Sequence, residues 1–307
     1  MGLLRGQSSK WARTSPTRGA DRQPYAEVTC RAVVARGRIV TGGAMDVGEV
    51  IRRVAGPAAR RVRRQAQWQT FRRLHPGPAQ ACPHPVAAHA TPLFRELAGL
   101  DPDLQRGKVT NLQLAADRLD GLALPPGGRF SFWRHVGRPS ARRGFVPGLV
   151  LDHGRLTAGV GGGMCQLTNL LYWMTLHTPL TVVERWRHSY DVFPDVGRTQ
   201  PFGSGATCAW PSLDLQVLNE TGSTFRLSVQ VTDTELRGAW SASEPVLTRY
   251  EVYEAHHQIT NDAPGVFMRH NVVRRRTLDG AGEVVADELV AANQGLLMYA
   301  PFLESGH

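Results

Sequence analysis

The chain has 307 residues, 42% of them hydrophobic, which suits about two domains and a packed core. The formal net charge of +10 is unevenly placed: residues 1–75 carry 15 Arg and one Lys against four acids, whereas residues 76–307 carry 20 basic and 22 acidic groups. A near-neutral body with no basic stripe interleaved with aromatics excludes nucleic-acid binding as the main function, and no apolar run approaches the ~18 residues of a membrane span.

Four cysteines, Cys30, Cys82, Cys165 and Cys208, are widely and unevenly spaced, which is no disulfide framework and fits a reducing compartment. With no apolar segment after the basic N-terminus to serve as a secretory signal, the expected location is cytoplasmic, at the inner membrane face where envelope precursors are concerned.

Residues 1–44 show no periodicity and read as a disordered or spurious extension, with Met45 as a candidate natural start. Residues 45–90 read as a basic helical segment followed by a Pro-rich linker. Within it, 46–74 forms one or two helices, broken or begun at Pro57. Val62, Ala66, Trp68, Phe71 and Leu74 make a ragged apolar face among arginines, either a solvated basic face or a membrane-surface contact. Thr110–Leu122 is a helix with Leu112, Ala115, Ala116 and Leu119 on one side, stopped by Gly121. Phe130-Ser131-Phe132-Trp133 is strand-like. Leu149–Leu151 and Leu156-Thr157 form a hairpin that turns at His153-Gly154.

Gln166–Leu176 is a helix ended at Thr178-Pro179, and Thr181–Trp186 is a β-branched strand. From residue 200 the pattern is all strand: Ser212–Leu218, an alternating Phe225–Val231, Leu236–Trp240, Tyr250–Tyr253, Phe267–Arg276 and Glu283–Leu289. Leu278-Asp279-Gly280 marks a hairpin turn between the last two. The expected fold class is α+β, a Cys-bearing helix packed on an antiparallel sheet with a β-rich C-terminal half. Residues 91–220 form the core and 221–307 a β-rich part of the same body.

The most informative stretch is Val160-Gly161-Gly162-Gly163-Met164-Cys165-Gln166-Leu167-Thr168-Asn169. A thiol at a helix start lies at the positive end of the macrodipole, which favours the reactive thiolate. The glycines allow close backbone approach and positive φ. Glu184-Arg185-Trp186-Arg187-His188 follows after one helix length, an order of cysteine, helix, strand and histidine that thiol enzymes use.

These residues resemble the VanW family of accessory proteins found with glycopeptide resistance. The likeness covers roughly residues 90–302 and is carried by Lys108-Val109-Thr110-Asn111-Leu112, Phe130–Trp133, Gly159–Met174, Leu176–Val182, Glu184–Asp195, Arg198–Thr207, Asp214-Leu215, Arg269-His270-Asn271 and Met298-Tyr299. The resemblance implies a cell-envelope context and no particular reaction. Broader relatives carry an aspartate where this chain has Gly205, so an acid that would orient the histidine is missing there.

The chemistry expected of these residues is that of a cysteine-dependent amidase, peptidase or transferase on a peptidoglycan-related peptide. Cys165 is the nucleophile and His188 its base. Asp191, Asp195 and Asp214 are candidates to hold the imidazole, with Asp214 preferred because it lies on a strand. Gly161, Gly162, Gly163 and Gln166 would hold an oxyanion or carboxylate. Asn169 lies one turn on from Cys165, and Arg185 and Arg187 share a strand face suited to carboxylates. The alternatives are a non-catalytic precursor-binding module and a structural accessory protein. Cys165, His188 and Cys208 lack the pairwise spacing of a zinc site, so neither metal nor cofactor is expected.

Overall fold

The computed structural model describes residues 47–94, 101–152, 155–192 and 200–299. The extension expected over 1–44, the His153-Gly154 turn, Asp195 and Arg198 lie outside these residues.

The expected α+β architecture is observed. One antiparallel sheet has the order β1 (His84–Pro92), β10 (Glu235–Ala242), β9 (Phe225–Val231), β2 (Ala123–Leu124). Helix α2 (Pro102–Leu119) packs on β9, and α4 (Met164–Leu176) packs on β1 and β10 and touches α2. α2 starts where Asp101 accepts a hydrogen bond from the Asp103 N–H at 2.8 Å and Pro102 presets the first turn. Its buried residues, Lys108, Asn111, Leu112, Ala115, Ala116 and Leu119, recur at helical spacing. Leu167, Leu170, Leu171 and Met174 of α4, Leu227 and Val229 of β9, and Trp240 of β10 complete the core with them.

A second antiparallel sheet, β3 (Arg129–Ser131), β8 (Gln216–Leu218) and β6 (Thr181–Glu184), lies beside α4. The third has long strands β11 (Arg249–Ala263), β12 (Val266–Leu278) and β13 (Val284–Leu297), with the short β7 (Tyr190-Asp191) parallel to the end of β13. β4 (Pro147–Asp152) and β5 (Arg155–Val160) form the expected hairpin, which leads into the glycine loop.

Four sequence expectations change. The Pro-rich stretch assigned to a linker carries β1; its prolines are tolerated because β1 is an edge strand, whose free side needs no N–H donors. Phe132 and Trp133 are not strand but open a short helix α3 (Phe132–Val136), capped by the Ser131 hydroxyl, which accepts from Arg134 N. The strand expected to run to Trp186 stops at Glu184, and the one expected from Ser212 begins at Gln216. Of the one or two helices expected over 46–74, one is observed, α1 (Val47–Gln69), which runs through Pro57.

Only part of the expected apolar face docks on the body: Trp68 and Leu74 are buried, while Val62 and Ala66 are exposed, as are Arg60, Arg61 and Arg63. Arg64 turns inward, contrary to a wholly solvated basic face. Its guanidinium donates to both Glu184 oxygens at 2.6 and 2.7 Å and to the carbonyls of Pro211 and Ser212. Asp214 is fully buried behind this pair. It accepts from Ser131 Oγ (2.5 Å), Trp133 N (3.0 Å) and Gln216 Nε2 (3.2 Å), and Trp68 Nε1 donates to the same Ser131 hydroxyl. His135 accepts from Leu74 N at 3.2 Å, and burial holds its pKa down at about 4.

Burial pushes the Asp214 carboxyl up to about 6, only partly offset by its hydrogen bonds to Ser131 and Trp133. A carboxyl raised by folding adds stability below its unfolded pKa and loses it as pH climbs through the folded value. His135, depressed by folding, works in the opposite direction over an overlapping range, so wild-type stability alone conceals both. In urea unfolding, the stability of wild type relative to Asp214→Asn should fall by about 2–3 kcal/mol between about pH 4 and 7. A constant difference would contradict the buried, weakly acidic Asp214.

Candidate functional site

Cys165 stands in the first turn of α4. The turn before it is closed by backbone bonds from Gly161 N to Val146 O (3.0 Å) and from Gly162 N to Gly159 O (2.9 Å). Two glycines here have a steric reason. Gly163, the helix N-cap, has φ of 101°, and a Cβ there would also collide with the Lys108 side chain. A Cβ on Gly162 would fall on the Gly148 carbonyl at the root of β4. The buried amide of Asn111 ties these strands together, donating to Val146 O and Gly162 O and accepting from Val146 N at 2.9–3.0 Å.

The partner segment comes from 203–208. Thr168 Oγ1 donates to Ala206 O (2.5 Å), and Asn169 Oδ1 accepts from Ala206 N (2.7 Å), so α4 grips both backbone groups of Ala206. Thr207 and Cys208 are thereby set against Cys165. Thr207 Oγ1 is 3.4 Å and the Cys208 carbonyl 3.9 Å from Cys165 Sγ.

His188 lies beyond β6 in an irregular stretch rather than on a strand, held between two fixed points. On one side Thr207 N donates to Trp186 O at 2.9 Å; on the other Leu296 N donates to Ser189 O at 2.9 Å. The result leaves His188 near enough to Cys165 to favour its thiolate. A hydrogen bond from the Cys208 thiol, then the His188 contact and the Thr207 hydroxyl, hold the Cys165 thiol well below its ordinary range despite the burial that opposes ionisation. Cys208 is pushed well above it by burial and by the adjacent Cys165. Cys208 is the site residue that sequence reading missed as a partner; it has no spacing signature, since 43 residues separate it from Cys165.

Several expected site side chains are committed elsewhere. The Gln166 amide donates to Thr91 Oγ1 (3.0 Å) and Pro92 O (2.8 Å), fastening the end of β1 rather than facing the sulfur. Asn169 holds Ala206. Arg185 donates to the Gly203 and Gly205 carbonyls and stacks on the Tyr172 ring at 4.8 Å, so it supports the 203–205 turn. Arg187 is exposed and donates to Gln294 O. Asp214 belongs to the Arg64 and Ser131 network, and Asp191 pairs with Arg269 at 3.3 Å and Tyr299 at 3.2 Å. Gly161, Gly162 and Gly163 do lie at the cysteine. Among the described residues, no cluster of three His, Cys, Asp or Glu suits a metal ion.

A glycine loop, a helix-start thiol and a facing histidine, mounted on an antiparallel sheet, define a cysteine-centred α+β domain. The chain belongs to the VanW family: residues 107–241 match the family model described as VanW like protein. It is 35% identical over 213 residues, 69% of this chain and 77% of the relative, to the vancomycin B-type resistance protein VanW of Enterococcus faecalis (strain ATCC 700802 / V583). It is also 32% identical over 115 residues, 38% of this chain and 36% of the relative, to the uncharacterized protein YoaR of Bacillus subtilis (strain 168). No solved structure matches this chain.

Thr168→Val deletes the hydroxyl that satisfies Ala206 O at nearly constant volume. It should cost about 1–3 kcal/mol and raise the pH midpoint of Cys165 alkylation, because Thr207 and Cys208 lose their fixed approach. An unchanged midpoint would show that Ala206 is not what sets the thiol's surroundings.

Proposed function

We propose that this protein is a cysteine-dependent acyl-transfer enzyme, an amidase, peptidase or transferase, acting on a peptidoglycan-related peptide. The half-buried Cys165 at the start of α4, its thiol held low in part by the neighbouring His188, supports this reading above all. Thiolate, not thiol, attacks carbonyl carbon, and a helix start leaves its first N–H groups without intrahelical acceptors, ready for a developing oxyanion.

In this reading Cys165 Sγ attacks an amide carbonyl, and charge passes to the carbonyl oxygen beside the first-turn N–H groups of α4. The proton that left the thiol sits on His188 and is delivered to the departing amine as the C–N bond breaks. Water or a second amine then attacks the thioester, giving up its proton to His188 and restoring the thiolate. The resistance named for the Enterococcus relative makes a cell-wall peptide the first substrate class to test.

Two measurements test this. Iodoacetamide labelling of Cys165 between about pH 5 and 9 should give a midpoint well below the free-thiol value of about 8.5, moved upward in His188→Ala. Intact-mass analysis with a D-alanyl-terminated stem peptide should detect an acyl adduct on wild type and none on Cys165→Ala. Slow labelling that is indifferent to His188, with no adduct, would sink the enzyme reading.

A further inference from the structure

We propose that Cys165 and Cys208 form a reversible redox pair, closing to an intramolecular disulfide that withdraws Cys165 from acyl transfer. The inference rests on the thiolate reading of Cys165 and adds a second sulfur that the transfer chemistry does not consume.

Cys165 Sγ lies 3.9 Å from the Cys208 carbonyl and 3.4 Å from Thr207 Oγ1, so the two cysteines adjoin on two fixed elements. Cys165 is held by the first turn of α4. Cys208 is held between two backbone bridges, Trp186 to Thr207 and Ala209 to Leu213, and by the grip of Thr168 and Asn169 on Ala206. Neither side chain is sealed in the core, since both cysteines are half-buried. Cys82 is different: it is buried, its sulfur donates to Thr224 O at 3.5 Å, and burial pushes its thiol upward. It serves as an internal control.

The co-reactant is a small-molecule disulfide. The Cys165 thiolate attacks one sulfur of R–S–S–R, that bond breaks, and RS⁻ leaves, giving a mixed disulfide on Cys165. Cys208 then loses its proton to the departing thiolate and attacks Cys165 Sγ, expelling the second RS⁻. Two protein thiols are oxidised and one small disulfide is reduced to two thiols. The opposed acidities order these steps. Cys165 is the attacking thiolate, and Cys208 stays protonated partly because of the neighbouring negative charge. Once Cys165 is in the mixed disulfide that charge is gone, and Cys208 ionises more readily.

The full chain is incubated with oxidised glutathione, blocked with iodoacetamide and mapped by peptide mass. The expected product has lost two hydrogens, links the Cys165 and Cys208 peptides, leaves Cys82 alkylated and recovers its free thiols with dithiothreitol. Alkylation of Cys165 in the oxidised form falls below about a tenth of its reduced rate. Cys208→Ser should instead stop at the glutathione adduct on Cys165. A wild-type glutathione adduct that persists with Cys208 free would overturn the pairing while leaving the thiolate reading intact. A Cys165 inert to both reagents would overturn both. A disulfide without any peptide adduct would support the redox pair and count against the acyl-transfer reading alone.

Discussion

The Ala206 backbone, held at its carbonyl by Thr168 and at its N–H by Asn169, is the contact on which the rest of the candidate site depends. It carries no chemistry of its own. Both grips come from the second turn of α4, the helix whose first turn carries Cys165, so the thiol and its surroundings are referenced to one rigid element. Thr207 and Cys208 follow in the chain, and Thr207 N then pins Trp186 O, which fixes the approach of His188. A short relay of backbone contacts thus converts the placement of one residue into the placement of three functional groups.

This relay explains why so many polar side chains near the thiol are occupied. Gln166, Asn169 and Arg185 point at backbone carbonyls or N–H groups of β1 and the 203–206 segment, where no regular strand pairing supplies partners. Buried backbone groups in irregular segments need such partners, because leaving one unmade costs about 1–3 kcal/mol.

Much of this was legible in the sequence. The α4 helix, the hairpin before it, the cysteine at the helix start and the alternating strand over 225–231 follow from periodicity and glycine placement, which are local signals. The elements misread were decided by tertiary partners. β1 looks like linker until β10 is available to pair with one of its edges. Phe132 and Trp133 look like strand until Ser131 caps a turn and Asp214 receives the Trp133 N–H. Cys208 was invisible as a partner of Cys165, because a contact between segments 43 residues apart leaves no spacing pattern. Gln166, Asn169 and Arg185 were legible as residues near the thiol, but nothing in a linear pattern says whether an amide faces a ligand or a carbonyl of its own chain.

Glu184 connects the frame to the site. Its carboxylate takes the Arg64 guanidinium and also accepts from Gln216 Nε2, Trp186 Nε1 and Asp214 N. The pairing of β6 with β8 slips at this point, between Val182 and Glu184, and β6 ends there. The chain is then free to leave the sheet and cross to Thr207, which a continued strand could not do, since pairing would have carried Trp186 onward along β8. The charge that makes a half-buried carboxylate tolerable at this corner comes from α1, outside the 107–241 stretch that matches the family. A buried carboxylate without a cation is costly. Arg64 therefore does for the corner what Thr168 and Asn169 do for the thiol. It secures from a separate helix a bend that the sheet alone would not hold, and His188 reaches Cys165 because that bend is kept.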